Sequence, residues 1–213
     1  MRTLSNGETH FDKDGAFGLQ GESEIDDQAV NDYLAGEPYF QAKPPKTTGR
    51  ELFSDDVARG LVENMRSRGM SPQATIATIT RITAESIARA YEQYVLPRLE
   101  EGKTIDEIYI CGGGAYNPNI MKHLQARFPT SRVSRLSEAP TKIEPNAKEA
   151  VMFALLGFLS VSGRTVPLAE DAESTEPAVL GVITPGENYR QIFQIVAKDQ
   201  EFLTHGVLGR IQM

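Results

Sequence analysis

Apolar residues recur at helical spacing over most of this chain and at strand spacing in two short stretches. Ile25, Ala29, Tyr33 and Leu34 mark a first short helix that ends at Gly36, and Ser23 followed by Asp26 has the form of a capping box. Pro38, Pro44 and Pro45 then forbid regular helix, so Pro44-Pro45-Lys46-Thr47-Thr48-Gly49-Arg50-Glu51 reads as an ordered loop. Ser54 caps a second helix with Val57, Leu61 and Met65 on one face, stopping near Gly69. A third starts beyond Ser71-Pro72 and runs to about Leu99. Its apolar positions, Ile76, Ile79, Ile82, Ile87, Tyr91, Tyr94 and Val95, occupy more than one face, which predicts a helix in the middle of the fold.

The period changes at Thr104–Cys111, where Ile105, Ile108 and Ile110 form a β-branched run closed by three glycines, the mark of a largely buried strand. A helix is expected from about Pro118 to Phe128, a second strand at Arg132–Leu136, and a strongly apolar helix within Glu144–Gly163. Two strands joined through a helix are expected to be parallel neighbours. The fold class is therefore α/β, helix-dominated, with an incomplete, mainly parallel sheet. Residues 1–22 read as a loop-rich lead-in, 23–168 as the main folded part, 169–178 as an acidic loop and 179–213 as a C-terminal extension.

Composition narrows the function. The 213 residues carry a net charge of −7, which gives no basic footprint for nucleic acid. Cys111 is the single cysteine, so an internal disulfide is impossible and a reducing compartment fits. The polar first residues, Met1 to Asp14, do not form a signal peptide, and no apolar run approaches a bilayer span, so a cytoplasmic protein without a membrane partner is expected.

The strongest chemical signal is the first strand running into Cys111-Gly112-Gly113-Gly114-Ala115-Tyr116-Asn117-Pro118. Consecutive glycines let a backbone approach a nucleotide, and the amides of the following helix favour its oxygens, with Asn117 a further donor. The same glycines also suit a tight turn that only permits close packing; the local pattern leaves both open. Glu149, on the first turn of the apolar helix, suits either the helix dipole or the orientation of a sugar hydroxyl. Lys46 and Arg50 suit either an anion or solvent. His10, His123 and His205 show no metal spacing, and Cys111 reads as a packing residue.

Taken together, Pro45-Lys46-Thr47-Thr48-Gly49-Arg50-Glu51, the glycine loop with Asn117-Pro118, and Glu149-Ala150 followed by Phe153-Ala154 resemble the C-terminal half of anhydro-N-acetylmuramic acid kinases, over roughly residues 6 to 186. The resemblance implies an actin- and hexokinase-like fold, ATP and Mg²⁺ as cofactors, and an anhydrosugar whose bridge is opened by water while phosphate is transferred. It implies nucleotide contacts at Gly112, Gly113, Gly114 and Asn117, and places Glu149, Lys46 and Arg50 toward the substrate cleft. Levoglucosan kinases are related, so the sugar stays open. The family's Gly-Thr-Ser-type phosphate loop and its Asp-Thr-Gly-Pro-Gly-Asn motif, which carries the catalytic aspartate, have no counterpart in these 213 residues. The resemblance thus implies no catalytic residue within the chain and places the family aspartate upstream of Met1. The expectations are a shortened kinase inactive by itself, or a non-catalytic remnant that binds nucleotide or a partner protein. Either should expose an apolar edge or face and tend to self-associate or dimerise.

Overall fold

The computed structural model describes residues 1–5, 7–166 and 176–198. The chain divides into two units, residues 1–148 and 149–213. In the first unit, short helices α1 (Ala16–Leu19), α2 (Asp27–Gly36), α3 (Pro38–Gln41) and α4 (Asp55–Ser67) precede the long α5 (Pro72–Ala90). Strand β1 (Glu107–Ile110), helix α6 (Pro118–Arg127) and strand β2 (Arg132–Arg135) follow. The two strands pair in parallel, Glu107 beside Arg132 and Ile110 beside Arg135, as the connecting helix requires.

Helix α5 begins where Ser71 accepts the Ala74 amide at 3.1 Å, with Pro72 at a position that needs no N–H. Its Ala74, Ala77, Ala84 and Ala88 are buried, and such small side chains let α1, α2, α4 and α6 approach closely. Toward the sheet, Ala84 and Ala88 join Ile108, Ile120, Leu124 and Phe128 in one core. On the other side Ile82 packs with Val30 and Leu34 in a second. The helix therefore has the central place that its apolar pattern predicts.

Several details differ from the sequence reading. Asp26, not Ser23, caps α2, its carboxylate accepting the Ala29 amide at 2.9 Å, because Ser23 is taken into a 3-10 turn over Glu22–Glu24. Pro38 starts the one-turn α3 instead of forbidding helix, since a first helical position has no use for the missing N–H. Past Ala90 the third helix loosens into a π-turn, Tyr91–Val95, and a 3-10 turn, Leu96–Arg98, at Pro97. Only Ile108 of β1 is fully buried, so the strand is less enclosed than its sequence suggests. The lead-in is also more ordered than its turn signals imply. It starts in a turn at Met1, whose carbonyl accepts the amides of Leu4 and Ser5, both at 2.9 Å. Gly15, Gly18 and Gly21 are buried, and a Cβ on Gly21 would meet the Gln73 backbone at 2.3 Å, so this segment lies directly on the start of α5.

The second unit contains α7 (Lys148–Val161) and α8 (Tyr189–Lys198). Val151, Met152, Phe153 and Leu155 are exposed on α7, as are Ile192, Phe193 and Ile195 on α8. Most of the acidic loop and the end of the extension lie outside the described residues. No helix among the described residues is long and apolar enough to cross a membrane.

A polar clamp ties α5 to α6. Buried Glu85 accepts from His123 Nε2 at 2.7 Å, from Arg89 Nε at 2.8 Å and from Arg127. Arg127 also forks onto Glu92 at 2.6 and 2.7 Å. Burial alone would raise the Glu85 carboxyl, but the hydrogen bonds from Arg127, Arg89 and His123 outweigh it and hold the group at about 2. Burial pushes His123 below its usual value, against the opposing pull of Glu85. Both shifts depress the folded-state value, so both favour the folded chain at higher pH. Stability should fall as pH drops below about 6.5, where an unfolded His123 takes a proton, and further from about 4.5 toward 2, where an unfolded Glu85 does. Urea titrations across this range should show the upper part flattened in His123→Gln. Glu85→Ala at pH 7 should lose about 2–4 kcal/mol, since it leaves the clustered cations without their buried counter-charge.

Candidate functional site

The end of β1 delivers the chain to a turn in which each glycine has a different reason to be there. Gly112 has φ +78°, in the region that disfavours a side chain, and its amide donates to the Pro145 carbonyl at 3.0 Å. Gly113 to Tyr116 form a 3-10 turn, closed by Ala115 N–H to Gly112 O at 3.1 Å and Asn117 N–H to Gly114 O at 3.0 Å. The Gly113 and Gly114 amides head this turn, where helical geometry offers no acceptor.

The surroundings of these glycines bear on the packing reading of the loop. A Cβ on Gly113 would meet nothing within 4 Å, and one on Gly114 would only touch Ile120 Cδ1 at an ordinary 3.4 Å. Neither has a positive φ. Close packing against the described residues therefore does not require a glycine at either position. The space they leave opens over two amides without helical acceptors, which suits an oxygen-rich ligand approaching the backbone.

Asn117 has a structural duty. Its side-chain oxygen caps α6 by accepting the Asn119 amide at 3.0 Å, leaving only its amide nitrogen for another partner. Gly15 presses against it: a Cβ there would come within 2.6 Å of the same oxygen. The lead-in thus fixes the residue that starts α6, a contact that spans about a hundred residues of chain and leaves no local sequence signal.

The other expected site residues are placed differently. Lys46 folds inward, donating to the Tyr39 carbonyl at 2.9 Å with its ammonium 4.6 Å from the Tyr39 ring centre and 5.8 Å from that of Tyr94. It lines a cavity of about 320 Å³ with Gln41, Arg89 and Gln93. Arg50 is exposed on the same loop, after a cis Pro44-Pro45 bond. Glu149 is exposed on the first turn of α7, at the start of the second unit. The structure brings the three glycines and Asn117 together; Lys46 and Arg50 belong to a separate loop. Met1, ahead of which the resemblance places the catalytic aspartate, is engaged in its local turn with Leu4 and Ser5. Among the described residues no group of three His, Cys, Asp or Glu side chains could hold a metal ion.

Contacts between one loop residue, Tyr116, and two residues of β2 escape the sequence reading. Tyr116 lies under the Arg135 guanidinium, 5.0 Å from its ring centre, while Arg135 Nε donates to the Ala115 carbonyl at 3.2 Å. Ser134 is buried, and among the described residues its hydroxyl has no hydrogen-bond partner. The strand pairing alone brings Ser134 and Arg135 to the loop, so nothing near them in sequence signals it.

Gly112→Ala should lose about 1–3 kcal/mol, because φ +78° with ψ −175° is a combination essentially confined to glycine, whereas Gly113→Ala should be neutral or slightly stabilising; urea unfolding of the two variants measures the difference.

The loop lies within a longer similarity. The family model described as anhydro-N-acetylmuramic acid kinase matches residues 3–186. Proteins of that name in Gloeobacter violaceus and Salinibacter ruber are 39% and 36% identical over 171 and 176 residues, or 80% and 82% of this chain. A third, from Caldanaerobacter subterraneus, is 29% identical over 184 residues, 86% of the chain. These alignments cover 40%, 42% and 44% of the respective relatives, so the chain spans less than half the length of the curated relatives it matches.

Proposed function

This chain belongs to the anhydro-N-acetylmuramic acid kinase family, and from that premise we propose that its first unit is the nucleotide-holding part of an ATP-dependent anhydrosugar kinase with an actin-like fold. The observation that carries this reading is the unfilled space over Gly113 and Gly114, whose amides head a turn without helical acceptors. ATP fits that cradle: the amides of Gly113 and Gly114 hold ribose or α-phosphate oxygens, and the Asn117 amide nitrogen adds a donor beside them. ATP supplies the phosphoryl group. This chain's own residues bind and orient it, which is the larger part of what a protein contributes to phosphoryl transfer.

Mg²⁺ would be held chiefly by the nucleotide's phosphates and water with one or two carboxylates, and would neutralise charge on the phosphates. Glu149, Lys46 and Arg50 are proposed for the sugar side of the cleft. The acceptor is an anhydrosugar, with the N-acetylmuramic acid derivative named for the relatives as first choice and plain levoglucosan as second. A cytoplasmic setting suits the single free Cys111.

The water that opens an anhydro bridge needs a base within hydrogen-bond reach, and general-base catalysis contributes about 10²- to 10⁴-fold. By family resemblance that base belongs to the Asp-Thr-Gly-Pro-Gly-Asn motif, which the residues from Met1 to Met213 do not contain. They are therefore proposed to bind nucleotide without turning over sugar. Calorimetry should detect ATP binding that Gly113→Val abolishes at unchanged helix content; an unaltered affinity would sink the assignment. A coupled ADP-release assay with either sugar should stay at background. Sugar-dependent turnover would show that the chain supplies a base of its own, and Glu149→Gln would then be the first variant to test.

A further inference from the structure

Between α3, the proline loop and the end of α5 lies the crevice of about 320 Å³ that Lys46 lines, within the size range of ligand pockets, which starts at roughly 300 Å³. Its charges are one-sided. Lys46 and Arg89 are the ionised side chains of the lining, which contains no carboxylate, in a chain whose net charge is −7. None of the lining residues belongs to the glycine loop, to α6 or to either strand.

The walls are held in place by hydrogen bonds. Gln41 Nε2 donates to the Leu34 carbonyl at 2.8 Å, which ties α3 to α2, and the Tyr94 hydroxyl donates to the Ala42 carbonyl at 3.2 Å, which ties the end of α3 to the π-turn. That turn, Tyr91–Val95, supplies Gln93 and Tyr94 to the lining, and π-turns within helices are frequent at functional sites. Lys46 uses one hydrogen on the Tyr39 carbonyl, which leaves two to donate. Arg89 gives Nε to Glu85 and Nη2 to Asn31, which leaves Nη1. Glu85 balances the charge of Arg89, whereas among the described residues the contacts of Lys46 are neutral, a carbonyl and two aromatic rings. A staple for the proline loop accounts for the bond to Tyr39, but it leaves this positive charge without a counter-charge beside an open cavity. Phe40 and Ile87 add apolar surface next to it.

We propose that this crevice binds a small carboxylic acid as its anion, with the carboxylate between Lys46 and Arg89 and the body of the molecule against Phe40 and Ile87. The free donors suit a carboxylate, whose two oxygens accept several hydrogen bonds. With one positive charge in excess, a monoanion is balanced and a phosphate dianion is not. A sugar acid and an apolar organic acid share this chemistry. The assignment does not rest on the nucleotide reading of the glycine loop, and it gives Lys46 a defined target, an acidic group.

The test uses the full chain, with glucuronate, glucose and cyclohexanecarboxylate as probes in calorimetry and saturation-transfer NMR. At least one of the two acids should bind, and glucose should not. Binding by glucuronate alone assigns the site to sugar acids, and binding by cyclohexanecarboxylate assigns it to acids with an apolar body; either supports the carboxylate assignment. Gln93→Glu adds a carboxylate to the lining at an exposed position, and should weaken the bound acid about three- to ten-fold at unchanged Tm. Lys46→Met keeps an unbranched apolar stem but removes the charge, and should weaken it about ten-fold. Glucose binding as tightly as glucuronate, acid binding that neither variant changes, or no binding of either acid at millimolar concentration would each overturn the proposal. ATP binding that Gln93→Glu abolishes would show that the crevice holds the nucleotide, and would overturn a separate site.

Discussion

The packing of α5 against its neighbours, closest where its alanines meet α6 and the sheet, is the constraint on which the first unit depends. Ala74, Ala77, Ala84 and Ala88 are at most 1% exposed, and a larger side chain at any of them would push a neighbour outward. Through this contact α5 positions α6, and α6 in turn carries the glycine loop at its N-terminal end. The Glu85 clamp adds direction to that packing. An alanine face tolerates some sliding and rotation, whereas a carboxylate engaged by His123, Arg89 and Arg127 fixes which residues of α6 face which residues of α5.

The site is thus built from segments distant in the chain. The lead-in holds Asn117 through Gly15, the segment before α7 holds Gly112 through the Pro145 carbonyl, and β2 brings Arg135 over Tyr116. The loop itself supplies the open backbone. The rest of the first unit fixes its shape, and this explains how a short glycine run can present amides in a defined arrangement.

Elements with a local cause were legible in the sequence. The caps at Ser54 and Ser71, the parallel pair of strands and the helix after Pro118 all follow from spacing and turn chemistry within a few residues. Glycine identity alone does not say whether a neighbour crowds the position; the structure adds that no described atom would touch a Cβ at Gly113. The burial of Gly15, Gly18 and Gly21, the clamp at Glu85 and the contact of Tyr116 with Arg135 were not legible, because each depends on a partner from another element. The apolar run of α7 misleads in another way. Its composition resembles a core helix, yet several of its large side chains are exposed, because hydrophobicity records what a surface favours and not what covers it.

The contrast between Gly112 and Gly113 has an evolutionary consequence. At Gly112 the backbone angle restricts the residue whatever the protein does, so selection for a folded chain is enough to retain it. At Gly113 the described residues leave room for a side chain, so under the proposed function it is the bound nucleotide that would select against one. A lineage that keeps this fold but stops using the loop should lose the second glycine while retaining the first. Among divergent relatives, the pair of positions would then record whether a given chain still holds a ligand, independently of how much of the catalytic apparatus it has kept.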